Sequence, residues 1–129
     1  MSAGDGTYSV TVRREFVAWH FLIGGDFGPE NERNAHRYRV EARYEGPSLD
    51  EHGFLLDIDD VQRRLDAVTD RYEEKTLNDF PEFDGLNPSV EHFARIIGDT
   101  LAVRLPNVRA LDVTVWEDDG AAAGHRRQL

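Results

Sequence analysis

The chain has no cysteine, a single lysine (Lys75), a single methionine and no long apolar run. Without cysteine there is no disulfide framework, no thiolate metal site and no cysteine nucleophile. No segment approaches the roughly 18 consecutive apolar residues of a membrane span. The N-terminal stretch Met1–Ser9 lacks the basic n-region and apolar h-region of a signal peptide. Together these absences lead us to expect a cytoplasmic protein with no membrane partner. Positive charge is scarce as well: 25 Asp and Glu stand against 15 Lys and Arg, for a net charge of −10. Such a surface repels phosphate backbones, which excludes nucleic acid as the expected partner. An acid-rich, lysine-poor composition suits a halophilic protein kept soluble in concentrated salt; compositional bias from a GC-rich genome accounts for it equally well. The 129 residues correspond to one domain spanning 1–129, with a core expected over about 8–117.

What is present is ordered periodicity. Tyr8, Val10, Val12, Phe16, Ala18 and His20 fall on one side of an alternating segment, with Arg14 the polar exception. The loop Gly24–Asn31 follows. A second strand places His36, Tyr38, Val40, Ala42 and Tyr44 on one face, opposite Arg37, Arg39, Glu41, Arg43 and Glu45. Beyond Gly53 the period changes to that of a helix, with Ile58, Val61, Leu65, Val68 and Tyr72 in one stripe and Asp57 or Asp59 as N-cap. Asn87-Pro88 reads as the cap and first position of a second helix carrying Val90, Phe93, Ala94, Ile97 and Leu101. A third strand holds Leu111, Val113, Val115 and Glu117, and residues 121–129 make a weak fourth. The order ββααβ(β) predicts an α+β fold, an antiparallel sheet with both helices on one face.

His20 ends the apolar row of the first strand, His36 begins that of the second, and Glu117 ends that of the third. If the first two strands pair as a hairpin, the imidazoles converge where the loop leaves the sheet. Each residue could equally be a strand end meeting water, and two imidazoles fall short of the three protein ligands of a typical catalytic zinc. Glu73 and Glu74 follow the last apolar position of the first helix, where carboxylates oppose the helix dipole. They mark either a site or ordinary solvated surface.

These residues resemble the 6-pyruvoyl-tetrahydropterin synthase and 6-carboxytetrahydropterin synthase family over about Val10 to Glu117. The family's Phe-x-Ala-x-His stands as Phe16-Val17-Ala18-Trp19-His20. Its His-Gly-His-x-Tyr/Phe corresponds to Asn34-Ala35-His36-Arg37-Tyr38, and its Gly-x-x-x-Asp-Phe to Gly53-Phe54-Leu55-Leu56-Asp57-Ile58. The Leu-Asn of Leu-Asp-His-x-x-Leu-Asn is Leu77-Asn78, and Asn-Pro-Thr-x-Glu-x-x-Ala becomes Asn87-Pro88-Ser89-Val90-Glu91-His92-Phe93-Ala94. Glu117 matches the glutamate that anchors the pterin ring, and Ser89 becomes a candidate substrate contact. The resemblance implies the tunnelling fold, a homo-oligomer built from trimers that stack as hexamers, active sites between subunits, and zinc bound through three histidines.

The chain departs from that pattern at the chemistry. His20 and His36 stand at two zinc positions, but Asn34 takes the third, offering a carbonyl oxygen where imidazole is expected. Glu30 or Glu32 from the same loop could substitute for the missing ligand. The catalytic cysteine falls on Glu30 and the Asp-His pair on Glu73 and Glu74. One reading is a lyase acting on a dihydroneopterin triphosphate-type pterin, with Glu30 as general base, as in a subgroup of the family with glutamate at the cysteine position. A base of this kind requires burial. The other reading is a pterin- or purine-binding homologue that has lost catalysis. A third, weaker resemblance is to the metal-free dihydroneopterin aldolases, whose catalytic lysine would have to be Lys75.

Overall fold

A computed structural model describes residues 6–129; residues 1–5, part of the stretch read above for leader features, lie outside the described residues. The alternating segments form four strands, β1 (Tyr8–His20), β2 (Asn34–Gly46), β3 (Ala110–Glu117) and β4 (Ala121–Gln128), joined antiparallel in the order β1-β2-β3-β4. Two helices, α1 (Ile58–Tyr72) and α2 (Val90–Leu101), lie between β2 and β3 in sequence. Helix α1 packs on β1, and α2 on β3 and β4. This is the α+β architecture expected. The segment 121–129 departs from expectation in its regularity: β4 pairs with β3 along its whole length, so the sheet continues past residue 117.

The core lies between the sheet and the helices. Val12, Phe16, Ala18, Tyr38, Val40, Ala42, Tyr44, Leu111, Val113 and Val115 are buried on the sheet's inner face. Val61, Leu65, Val68 and Tyr72 meet them from α1, and Phe93, Ala94, Ile97 and Leu101 from α2. Ile58, expected in the α1 stripe, is 48% exposed because it opens the helix ahead of the first turn that touches the sheet. At one end of the core the apolar packing is aromatic. Phe93 makes edge contacts with Phe16, Tyr38, Tyr72 and Phe83 at centroid distances of 6.1, 5.3, 5.2 and 5.6 Å. Such pairs add to area burial, and they hold Tyr38 rigidly beneath the two histidines.

Asp57 caps α1, its carboxylate accepting from Asp59 N–H at 3.0 Å. For α2 the cap is not Asn87 but Ser89, whose hydroxyl accepts from His92 N–H at 3.1 Å. The reason is that the Asn87 amide is already committed. It accepts from Ile23 N–H at 2.6 Å and donates to Ile23 C=O at 3.1 Å, pairing with the chain like a neighbouring strand.

The charged row of β2 faces away from the helices in a ladder of ion pairs. Arg13–Glu41 (3.8 Å), Arg39–Glu41 (3.9 Å) and Arg43–Glu45 (3.7 Å) belong to it, and Arg126 joins Glu45 and Asp112.

Candidate functional site

The β1–β2 register fixes the site. His20 pairs with Asn34, and Ala18 with His36, so β2 begins two residues before the expected His36. Alternation sends both imidazoles to the inner face at one end of the sheet, with ring centroids 4.7 Å apart. His20 is buried and His36 nearly so. Tyr38 pairs with Glu117, which brings the end of β3 alongside. His20, His36 and Glu117 each offer a ligand atom, and these atoms lie within 4.8 Å of one another. The three polar row endings legible in the sequence therefore form one cluster.

The 21–33 segment returns a carboxylate to it. A short 3-10 turn, Gly28–Asn31, carries Glu30 over the histidines. Its Oε2 lies 3.1 Å from His20 Nε2, and its Oε1 lies 3.8 Å from His36 Nε2. Three asparagines hold this segment. Asn78 and Asn87 clasp the backbone of Phe21 and Ile23, each through both amide atoms. Asn31 bonds Leu22 C=O, Gly25 C=O and Phe27 N–H. Glu32, the other candidate replacement ligand, is exposed and meets the site through its carbonyl, which accepts from the Asn34 amide.

Asn34, at the third metal position, directs its Oδ1 to 2.6 Å from His36 Nε2. Possible ligand atoms thus gather about the two imidazoles: the Glu117 carboxylate, the Asn34 amide oxygen beside His36 and the Glu30 carboxylate beside both. Two imidazoles with a carboxylate are a ligand set of catalytic zinc, and the added amide oxygen remains compatible with a divalent ion. The residues present fit a metal. Beneath them, the Tyr38 hydroxyl lies 3.1 Å from His20 Nδ1. Burial, reinforced by the charges of Glu117, Asp118 and Glu30, pushes that phenol far above its ordinary pKa, so it stays protonated. Asp118, which the sequence reading passed over, lies 2.8 Å from His36 Nδ1, and this hydrogen bond holds its carboxyl below the usual range. Its only sequence signal is its place between Glu117 and the Asp119-Gly120 turn.

Other candidates fall elsewhere. Glu73 and Glu74 are exposed where α1 ends, and the Glu74 N–H donates to Val17 C=O at 2.7 Å on the outer edge of β1. No contact within the chain joins either carboxylate to the imidazoles among the described residues. Lys75 turns its ammonium onto the carbonyls of Asp70 and Arg71 at 3.4 and 3.3 Å, capping α1. Ser89 spends its hydroxyl on the α2 cap, while the neighbouring Pro88 carbonyl lies 3.4 Å from His20 Nδ1. The Glu30 side chain is 41% exposed, so one chain alone does not supply the burial expected of a base.

Comparison with solved structures places this geometry in a known fold. A Plasmodium vivax 6-pyruvoyltetrahydropterin synthase, in a variant with a glutamate catalytic residue changed to alanine, superposes with a TM-score of 0.79 at 19% identity, covering 97% of this chain and 100% of that one. The Caenorhabditis elegans 6-pyruvoyl tetrahydropterin synthase gives a TM-score of 0.81 at 18% identity, covering 95% and 96%. A Burkholderia dihydroneopterin aldolase bound to guanine is more distant, with a TM-score of 0.52 at 12% identity over 95% and 90%. No curated protein sequence matches the chain. Residues 9–128, nearly the full length, match the family model of 6-pyruvoyl tetrahydropterin synthase, and with the shared fold and the converging histidines this makes the chain a divergent member of that family.

Proposed function

We propose that the chain is a lyase that cleaves the side chain of a dihydroneopterin triphosphate-type pterin, with Glu30 as general base. The observation that carries this reading is the Glu30 carboxylate lying against both imidazoles, at 3.1 and 3.8 Å. A carboxylate there reaches whatever the histidines hold, as general base catalysis requires. The glutamate named as catalytic in the Plasmodium vivax structure supports the assignment by analogy.

His20, His36 and Asn34 would hold zinc, whose chemistry when bound is to polarise the side-chain oxygens of the substrate. Glu30 then takes the proton. Glu117 binds the 2-amino and N3–H edge of the pterin through paired, charge-assisted hydrogen bonds, and Ser89, whose oxygen caps α2, keeps its hydroxyl proton as a further substrate contact. Glu73 or Glu74 orients water or the leaving group at the site of a neighbouring subunit, a reading supported by their outward position. A trimer, or two stacked as a hexamer, is supported by the outer edges of β4 and the first half of β1, which have no partner strand among the described residues. A shared site would also bury Glu30. The setting of this reading is cytoplasmic.

The test is Glu30→Gln, assayed for pterin binding and for turnover of dihydroneopterin triphosphate. The expected result is retained binding with turnover reduced by about 100-fold or more; undiminished turnover would remove Glu30 from the role. A second reading, a pterin- or purine-binding homologue without catalysis, is favoured by one observation, the amide of Asn34 where a third imidazole is expected. It requires that the wild-type protein bind pterin and turn over nothing.

A further inference from the structure

The outer nitrogen of His36 has a partner that belongs to none of the motifs. Nδ1 lies 2.8 Å from Asp118 Oδ2. Asp118 is itself held: its Oδ1 accepts from Arg37 N–H at 3.2 Å, and its own N–H donates to Arg37 C=O at 2.8 Å. Its backbone is left-handed, with φ 54°, a conformation aspartate and asparagine tolerate better than most residues. The turn after β3 therefore folds this side chain back over the start of β2.

Across the ring, Nε2 faces Asn34 Oδ1 at 2.6 Å. The Asn34 amide is fixed in that orientation, because its nitrogen donates to Glu32 C=O at 2.8 Å and to His20 C=O at 3.3 Å. A neutral imidazole has one N–H to give. A carboxylate accepts it much more strongly than an amide oxygen does, so the proton belongs on Nδ1. The lone pair of Nε2, the Asn34 carbonyl and the Glu30 carboxylate, 3.8 Å from Nε2, then point at one space. A positive charge between them reconciles three such groups, either a bound cation or a second ring proton.

We propose that Asp118 is a positioning residue of this site: it fixes His36 as the Nδ1–H tautomer and so presents Nε2, beside Asn34 Oδ1, to a divalent metal. A carboxylate behind a ligating imidazole orients the ring and raises its basicity, which offsets the exchange of a third imidazole for an amide. The metal part rests on the zinc reading above; the tautomer does not.

Two readouts on the full chain test it. Long-range proton–nitrogen NMR, about two pH units above the ordinary imidazole value, reads the His36 tautomer in metal-free protein. Competition with a chromogenic chelator reads the affinity for zinc ion. The variants are Asp118→Gly, which keeps the left-handed turn and removes the acceptor, and Asp118→Asn, which keeps turn and acceptor but not the charge. The wild type is expected to show Nδ1–H, and Asp118→Gly to lose that preference and bind zinc about 10–100-fold more weakly. Asp118→Asn should restore most of the tautomer and part of the affinity. An Nε2–H tautomer in the wild type, or an Asp118→Gly protein unchanged in tautomer and affinity, would overturn the proposal. Wild type with the Nδ1–H tautomer but no zinc binding would keep the orienting role and overturn the metal reading instead.

Discussion

Glu117 and Glu30 divide binding from chemistry in this account, and single substitutions separate them. Glu117→Ala removes a pair of charge-assisted hydrogen bonds, each contributing about 1.5–3 kcal/mol. Pterin affinity, read by fluorescence titration, should fall about 100-fold or more, with the far-UV circular dichroism unchanged; unaltered affinity would take the anchor role from Glu117. Glu117, like His20 and His36, was legible in the sequence because it interrupts an alternation: a polar side chain ending an apolar row has few reasons to be there. Glu30 lies in a loop and stood out only through the family resemblance. Asp118 had no such signature. It is one of 25 acidic residues, it lies in a turn, and its meaning comes from a backbone angle that brings it to His36. Asn78 and Asn87 were legible as motif positions, but not their clasp on Phe21 and Ile23, since asparagine in a loop is ordinary until its amide is seen pairing with a distant backbone.

The loop between α1 and α2 shows how connections hold the site. Arg71 grips Glu82 with two bonds of 2.7 and 2.8 Å, and the Tyr72 hydroxyl donates to Glu82 at 2.5 Å. The Arg71 guanidinium is the main cause that pulls the Glu82 carboxyl down to about 2. A carboxyl depressed on folding stabilises the fold above its unfolded value and ceases to do so as pH falls through its folded value. Glu82→Gln should therefore lower stability by about 2 kcal/mol near neutrality. Its deficit against wild type, measured by urea melts, should shrink between about pH 5 and pH 2. A deficit independent of pH would mean that packing, not charge, is responsible. Gly46, at the end of β2, is a sharper case. A Cβ there would sit 1.9 Å from the Asn107 carbonyl oxygen, which is backbone and cannot yield. Gly46→Ala should cost about 3 kcal/mol or more, seen as a fall in melting temperature; a neutral substitution would show the 105–109 loop to be freely displaceable. Strands and helix stripes were readable because burial imposes a period. The α2 cap was not, because choosing between Asn87 and Ser89 depends on whether Ile23 has already taken the asparagine.

Net charge and free strand edges act on the molecule as a whole. A chain of charge −10 repels itself in dilute buffer, and salt screens that repulsion over about 10 Å at 0.1 M and about 3 Å at 1 M. Melting temperature should therefore rise across that range; a flat response would show that charge repulsion does not limit stability. The proposed assembly predicts a solution mass of three or six chains by light scattering. In that assembly Glu73 and Glu74, placed where α1 meets the outer edge of β1, would reach the imidazoles of a neighbouring subunit, as the family resemblance implies. The central claim is that His20, His36 and Asn34, backed by Glu30, still make a metal centre although one histidine of the family's three is missing. Elemental mass spectrometry on protein purified in high salt without chelator tests it most directly. The account predicts close to one zinc per chain, lost in His20→Ala; a wild-type protein that folds and assembles with no bound metal would contradict it.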